Sequence, residues 1–168
     1  MGKPLWAPWR MDYIRSAVKN CRTDRKACLF CRLLRSKDDG ENLVLHRTAL
    51  ALVVMNRYPY NNGHLMVAPK RHLADYEKLK PEEGAELQRL VQLSLRALRL
   101  EMQPQGYNIG LNQGKVAGAG VAGHLHVHIV PRWLGDVNYM AAVADTVVIS
   151  EHLKETYHRL HKHYSRKH

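Results

Sequence analysis

His124-Leu125-His126-Val127-His128-Ile129-Val130 places three imidazoles at strict two-residue spacing, separated by aliphatic side chains. Along a β-strand, residues i, i+2 and i+4 share a face. The spacing therefore predicts His124, His126 and His128 on one face and Leu125, Val127 and Ile129 in packing on the other. Imidazole is the side chain whose ordinary pKa lies nearest neutrality, so it serves as nucleophile, acid–base group or metal ligand. One histidine on an apolar strand reads as a hydrogen-bonded core residue; three in register are costly to bury unless each has a partner. A second chemical motif is Cys28-Leu29-Phe30-Cys31, a C-x-x-C that suits a redox pair, half of a metal site or two structural thiols. The chain has no second C-x-x-C, which excludes a four-cysteine zinc ribbon, and Cys21 stands in no motif. The third is the run from Gln113 to Gly123, with four glycines and three alanines, where backbone N–H groups can approach a phosphate closely. Its spacing is neither that of a Walker A loop nor of a dinucleotide-binding turn, and read alone it also fits a flexible surface loop.

The elements that must position these groups are legible as periodicities. Residues 48–55 and 63–68 read as strands joined by the polar turn Tyr60-Asn61-Asn62-Gly63. Pro81-Glu82-Glu83 opens a helix running to about Met102, because proline suits a first turn and acids there oppose the positive helix end. Leu87, Leu90, Val91, Ser94, Leu95 and Leu98 trace its buried face. Pro104 and Gly106 end it. Strands at 107–112 and 124–131 flank the glycine-rich loop, and about 149–163 reads as another helix. This order predicts an α+β fold, an antiparallel sheet packed with helices.

At 168 residues the chain is expected to form one domain over 1–168, with N-terminal (about 1–27) and C-terminal (about 149–168) extensions. No apolar run approaches the roughly 20 residues of a membrane span, and no apolar signal core follows Lys3 and Arg10. A soluble cytoplasmic protein without a membrane partner is the expectation. The net charge of +11 raises the local concentration of anions without choosing among them. It is concentrated in residues 1–40 and in the last 18 residues, where five histidines also lie. Nucleic-acid modules interleave aromatic and basic residues for base stacking. This chain has one Phe and three Trp, so nucleic acid is a disfavoured partner.

The triad stretch resembles the signature of the histidine triad (HIT) family, His-φ-His-φ-His-φ-φ with φ apolar. The segment Asn56 to His72, with its Gly63-His64 and Pro69, and the segment Gly106 to Gly114 are similar to further blocks of that family in the same order. The likeness runs from about Cys28 to Trp133. Leu5 to Ile14, Tyr58-Pro59-Tyr60 and Val130-Pro131-Arg132-Trp133 resemble the diadenosine-tetraphosphate phosphorylase branch, which implies Trp133 as a substrate contact.

That resemblance implies a HIT-like fold and a nucleotidyl transferase or hydrolase acting on nucleoside polyphosphates, with no organic cofactor. His126 would be the nucleophile, forming a covalent nucleotidyl-histidine, with one ring nitrogen donating to a backbone carbonyl to fix its tautomer. His128 would bond the phosphate or leaving oxygen, and His64 would support the triad from the neighbouring strand. Asn112, Gln113 and the backbone near Gly120 and Val121 would hold non-bridging oxygens. Asn56 would contact ribose hydroxyls, although before Arg-Tyr-Pro it also suits a turn. Arg132 and Lys115 are expected near the phosphate cradle, where they would attract a phosphate acceptor. In zinc-containing relatives the C-x-x-C is completed by two histidines, which implies one structural zinc per chain on Cys28, Cys31, His72 and His124. A homodimer or higher oligomer with the long helix and adjacent strand at the interface is implied as well. The absence of Ser or Thr between Asn112 and His124 weighs against a phosphoramidase-like specificity. The competing readings are a hydrolase of AMP conjugates, a nucleic-acid-associated protein that removes or binds adenylate, and a nucleotide sensor without turnover.

Overall fold

A computed structural model describes residues 25–26, 28–136 and 152–164. The tryptophan-rich segment Leu5 to Ile14, Cys21 and the first residues expected in the C-terminal helix lie outside the described residues. The sheet has five antiparallel strands: β1 (Val44–Arg47), β2 (Ala51–Met55), β3 (Leu65–Pro69), β4 (Gly106–Leu111) and β5 (Val127–Arg132), in the order β1-β2-β3-β5-β4. Helices α1 (Leu29–Arg35), α2 (Pro81–Met102) and α3 (Leu153–His161) complete the α+β fold expected from the sequence.

Strand alternation divides the interior in two. Val53, Met55, Leu65, Val67 and Ile129 face α2 and α3, where they pack with Leu87, Leu90, Leu98, Tyr157, Leu160 and Tyr164. Leu52, Val54, Met66 and Ala68 face the other way, onto Phe30, Leu33 and Val121. Leu125 and Ile129 are buried in the α2 layer and Val127 packs against it, so the aliphatic half of the triad alternation is as expected. The histidines at positions 126 and 128 consequently turn to the α1 side.

The strand itself differs from the expectation: β5 begins at Val127, not at 124. The cause is at its neighbour. Pairing with β3 ends at Val67↔Val127, and the Pro69 carbonyl is taken by the His124 ring at 2.8 Å. Leu125 N–H goes to Leu73 O at 2.6 Å and His124 N–H to Val121 O, so both amides are bonded outside the ladder. The run expected as a strand over 48–55 likewise starts late, because Thr48 Oγ1 accepts from the backbone N–H groups of Leu50 and Ala51 and closes a turn. Strand β1 and helix α1 carry no clear sequence period.

Helix α2 spans the residues its sequence predicts. Its start is tied by Glu83, which accepts from Lys80 N–H at 2.9 Å and from Arg71 through both oxygens. It ends on Gln103 in the left-handed region, φ +47°. The turn before β3 needs Gly63, whose φ is +73° and whose position would place a Cβ 2.6 Å from Met102 Sδ. Helix α3 docks through Thr156 Oγ1 to Asn62, Tyr157 OH to Val44 O and Tyr164 OH to Ser94. Among the described residues no helix is long and apolar enough to cross a membrane.

Candidate active site and metal centre

Two clusters meet at His124. In the first, Cys28 sits immediately before α1 and Cys31 lies in its first turn, so a single turn of helix presents both thiols to one point. His72 comes from the segment after β3 and His124 from the segment before β5. Cys28 Sγ is 3.3 Å from His124 Nδ1, and Cys31 Sγ is 3.3 Å from His72 Nδ1 and 3.8 Å from His124 Nδ1. The four ligand atoms lie within 4.8 Å of one another. A tetrahedral zinc, about 2.3 Å from sulfur and about 2.0–2.1 Å from nitrogen, separates those atoms by roughly 3.6 Å. The residues fit the ion. His124 Nε2–H donates to Pro69 O, which leaves the Nδ1 lone pair aimed at the cluster. Burial pushes the Cys28 thiol above its ordinary value; a bound cation reverses this, because coordinating thiols deprotonate. Both cysteines are free thiols.

The second cluster is a chain of imidazoles whose tautomers follow from their partners. His126 Nδ1 lies 2.8 Å from the His124 carbonyl, which can only accept. Nδ1 therefore carries the proton and Nε2 keeps a free lone pair. Tyr60 N–H, which can only donate, points at His64 Nδ1 from 3.1 Å. His64 then holds its proton on Nε2 and gives it to His128 Nδ1 at 2.9 Å. His128 is left with Nε2–H as a donor. A backbone amide on one turn thus sets the donor two rings away.

Burial keeps these rings neutral. It lowers His64 to about 3, with the neighbouring histidines adding to the effect, and His128 to about 4. His124 is likewise held at about 4, and His126 is lowered, in each case chiefly by desolvation. An array of neutral imidazoles with one free Nε2 lone pair (His126) beside one Nε2–H donor (His128) is competent for attack on an electrophile with hydrogen-bond support. The ring centroids of the two are 4.7 Å apart.

The remaining expected residues fall into two groups. Asn56 is buried beside the imidazole chain, its Nδ2 3.3 Å from His64 Nδ1 and its Oδ1 accepting from Tyr58 N–H. The turn-shaping bond is therefore present. Val121 is buried against α1, Gly120 is half-buried within the loop, and Asn112 Nδ2 lies 3.9 Å from where a Cβ on Gly118 would be. The Gln113 amide is engaged elsewhere, accepting from Tyr76 N–H and donating to Glu77.

Arg132 is a correction. Its guanidinium is bidentate to Asp136, at 2.6 and 2.8 Å, and donates to Asn108. It also stands at the far end of β5 from the glycine loop, about five strand rises or ~17 Å along the strand. It ties off the turn after β5, together with Asn61, which donates to Asp136 and to Pro131 O. Trp133 is half-buried at that end, its N–H bonded to Asp136. Sequence reading passed over Phe30, whose ring lies 5.0 Å from that of His126, and over the Tyr60 amide. The sole Phe of the chain lying inside the C-x-x-C was the available signal.

Comparison with known proteins gives the family of the chain. The HIT domain family matches residues 38–133, more than half of the chain. An AP-4-A phosphorylase of Mycobacterium tuberculosis is 40% identical over 155 residues, covering 90% of this chain and 79% of the relative. The adenosine 5'-monophosphoramidase of Schizosaccharomyces pombe is 34% identical, covering 63% of this chain and 74% of its own. A zinc-bound histidine triad protein of Mycobacterium smegmatis superposes with a TM-score of 0.68 at 25% identity, over 84% of this chain and 96% of its own. The chain belongs to the HIT domain family.

Proposed function

We propose that this protein cleaves dinucleoside polyphosphates, diadenosine tetraphosphate foremost, through a covalent nucleotidyl-His126 with orthophosphate as the acceptor. The observation that carries it is the His126 tautomer, Nδ1–H on a backbone carbonyl and Nε2 free. Nε2 attacks the α-phosphorus, a P–N bond forms, the bridging P–O bond breaks and ATP leaves. His128 Nε2–H supports the phosphate or the departing oxygen, where charge gathers. A phosphate oxygen then attacks the adenylyl group, the P–N bond breaks and ADP is released, regenerating the free imidazole. Splitting one displacement into two easier ones is what the nucleophile contributes.

An enzyme of the nucleotide phosphorylase or hydrolase class follows from family membership together with the 40% identical phosphorylase. The choice of phosphate over water rests on that relative and on the likeness around Trp133. A structural zinc on Cys28, Cys31, His72 and His124 would hold α1 against the triad segment. Asn112, the loop backbone near Gly120 and Val121, and Gln113 after release from Tyr76 would receive the phosphate oxygens; Asn56 and Trp133 would meet the nucleoside. The exposed edge strand β4, with Ile109, and exposed Leu100 of α2 support a homodimer built on that edge. A cytoplasmic location accords with two free thiols at the metal centre.

The alternative, hydrolysis of AMP conjugates, draws on the phosphoramidase relative. Incubation with diadenosine tetraphosphate, with and without orthophosphate, separates the two. ADP plus ATP, formed faster with phosphate, is the expected result; AMP plus ATP in phosphate buffer would establish a hydrolase.

A further inference from the structure

We propose that Phe30, the second inner residue of the C-x-x-C, is a positioning residue that sets the orientation of the His126 imidazole. The inference rests on the nucleophilic role of His126 proposed above and adds a residue to it. One hydrogen bond, Nδ1–H to His124 O, determines the tautomer of His126. By itself it leaves the plane of the ring a range of angles, because the histidine χ2 torsion is broad. The plane decides where the Nε2 lone pair points. Two neighbours restrict it. His128 meets His126 edge-on, at 4.7 Å and 71°. Phe30 lies tilted against it at 5.0 Å and 38°, within the range of attractive aromatic pairs.

Phe30 is itself fully enclosed. Its side chain is 0% exposed, and its ring also packs at 5.1 Å and 47° against His124. Cys28 and Cys31 flank it on the same turn, so a metal ion held by the ligand cluster would fix its backbone from both sides. The apolar layer of Leu33, Leu52, Val54 and Val121 belongs to the same cluster. The motif therefore has two outputs: its cysteines face the ligand cluster and its phenylalanine faces the ring that attacks. A misplacement of about 1 Å in a reacting group can lower a rate by about 10²-fold. Removing a wall of the imidazole pocket is a change of that kind, one that acts on the chemical step more than on substrate binding.

The test compares Phe30→Leu and Phe30→Ala with wild type, as zinc-loaded full-length protein, on diadenosine tetraphosphate with orthophosphate. Leucine keeps the apolar burial and loses the flat ring, so it separates filling from orientation. The expected result for Phe30→Leu is kcat lower by about tenfold, KM within twofold, one zinc per chain and a melting temperature close to wild type. Phe30→Ala is expected to lose about 100-fold. In protein carrying ¹⁵N-labelled histidine, the Nδ1–H resonance of His126 should broaden or vanish in both variants, reporting ring motion without reference to turnover. Wild-type kcat or a sharp, unshifted Nδ1–H resonance in Phe30→Leu overturns the proposal. So does a loss of kcat that appears only together with loss of zinc and of folding, which makes Phe30 a structural residue. A His126→Ala arm keeps the two inferences apart: activity surviving there defeats the nucleophile assignment, whereas the resonance measurement judges Phe30 by itself.

Discussion

The chemistry of this site depends on where single protons sit, and backbone groups decide that. The His124 carbonyl accepts a hydrogen bond from His126 Nδ1–H, and the Tyr60 amide obliges His64 to donate its Nε2–H to His128. Neither arrangement needs a charged residue, which matters because all four imidazoles are buried or half-buried and burial opposes the charged form. In the proposed mechanism His126 forms a bond with substrate, so its removal should act on kcat. His126→Ala is expected to lower turnover of diadenosine tetraphosphate by about 10³-fold or more while nucleotide affinity changes only a few-fold. Equilibrium binding of a non-cleavable analogue beside steady-state kinetics checks it, and near wild-type turnover would sink the assignment.

Helix α1 is short, seven residues, and by itself would not persist in water. Its place is decided by what it docks, two thiols into the ligand cluster and Phe30 and Leu33 into the second core. A structural zinc would then contribute directly to folding, since the site forms only when residues 28–31, 72 and 124 come together. One equivalent of zinc per chain is expected by elemental analysis. Cys31→Ser should abolish it, and His72→Ala should weaken metal retention and lower the melting temperature together. Fully stable, metal-free protein after mild purification would count against the assignment.

Over the whole molecule, the titrating groups make the fold acid-sensitive in two stages. His64 and His128 have native values of about 3 and 4 against an ordinary 6.5. The unfolded chain therefore binds protons first as pH falls below 6.5, and the stability associated with their neutral forms is lost toward pH 4 to 3. Glu101 is held at about 2 by Lys162, His163 and Arg159, which join α3 to the end of α2. Its folded value lies below the ordinary carboxylate value, so its contribution is present above pH 4.5 and disappears as pH falls toward 2. Thermal melts should be flat from pH 8 to 7 and fall progressively below 6.5. Glu101→Gln should cost roughly 1.5–3 kcal/mol at neutral pH, the scale of hydrogen bonds to a charged group, and should flatten the slope below pH 4.5. An unchanged slope in that variant would refute the assignment.

What the amino-acid order determined by itself is whatever depends on neighbours a few residues apart. The span of α2 follows from Pro81, its first-turn acids and a 3.6-residue apolar period, and the inward face of Leu125, Val127 and Ile129 follows from a two-residue period. The resemblance to a family added the partners of the C-x-x-C, which spacing alone left open. Tertiary structure decided the rest, because it rests on contacts between distant residues. His124 leaves the strand its spacing assigns it, since Pro69 O holds its Nε2–H while Cys28, 96 positions away, meets its Nδ1. Arg132 is held as a turn clasp by Asp136, four residues on, and by Asn108, 24 positions back, a partner that only the pairing of β4 with β5 supplies. Tyr157, Leu160 and Tyr164 enter the main core only because α2 and the sheet offer them a surface. Phe30 reaches His126 for the same reason: residues 96 positions apart meet only when the sheet has brought α1 and β5 to one place, and no local period encodes that meeting.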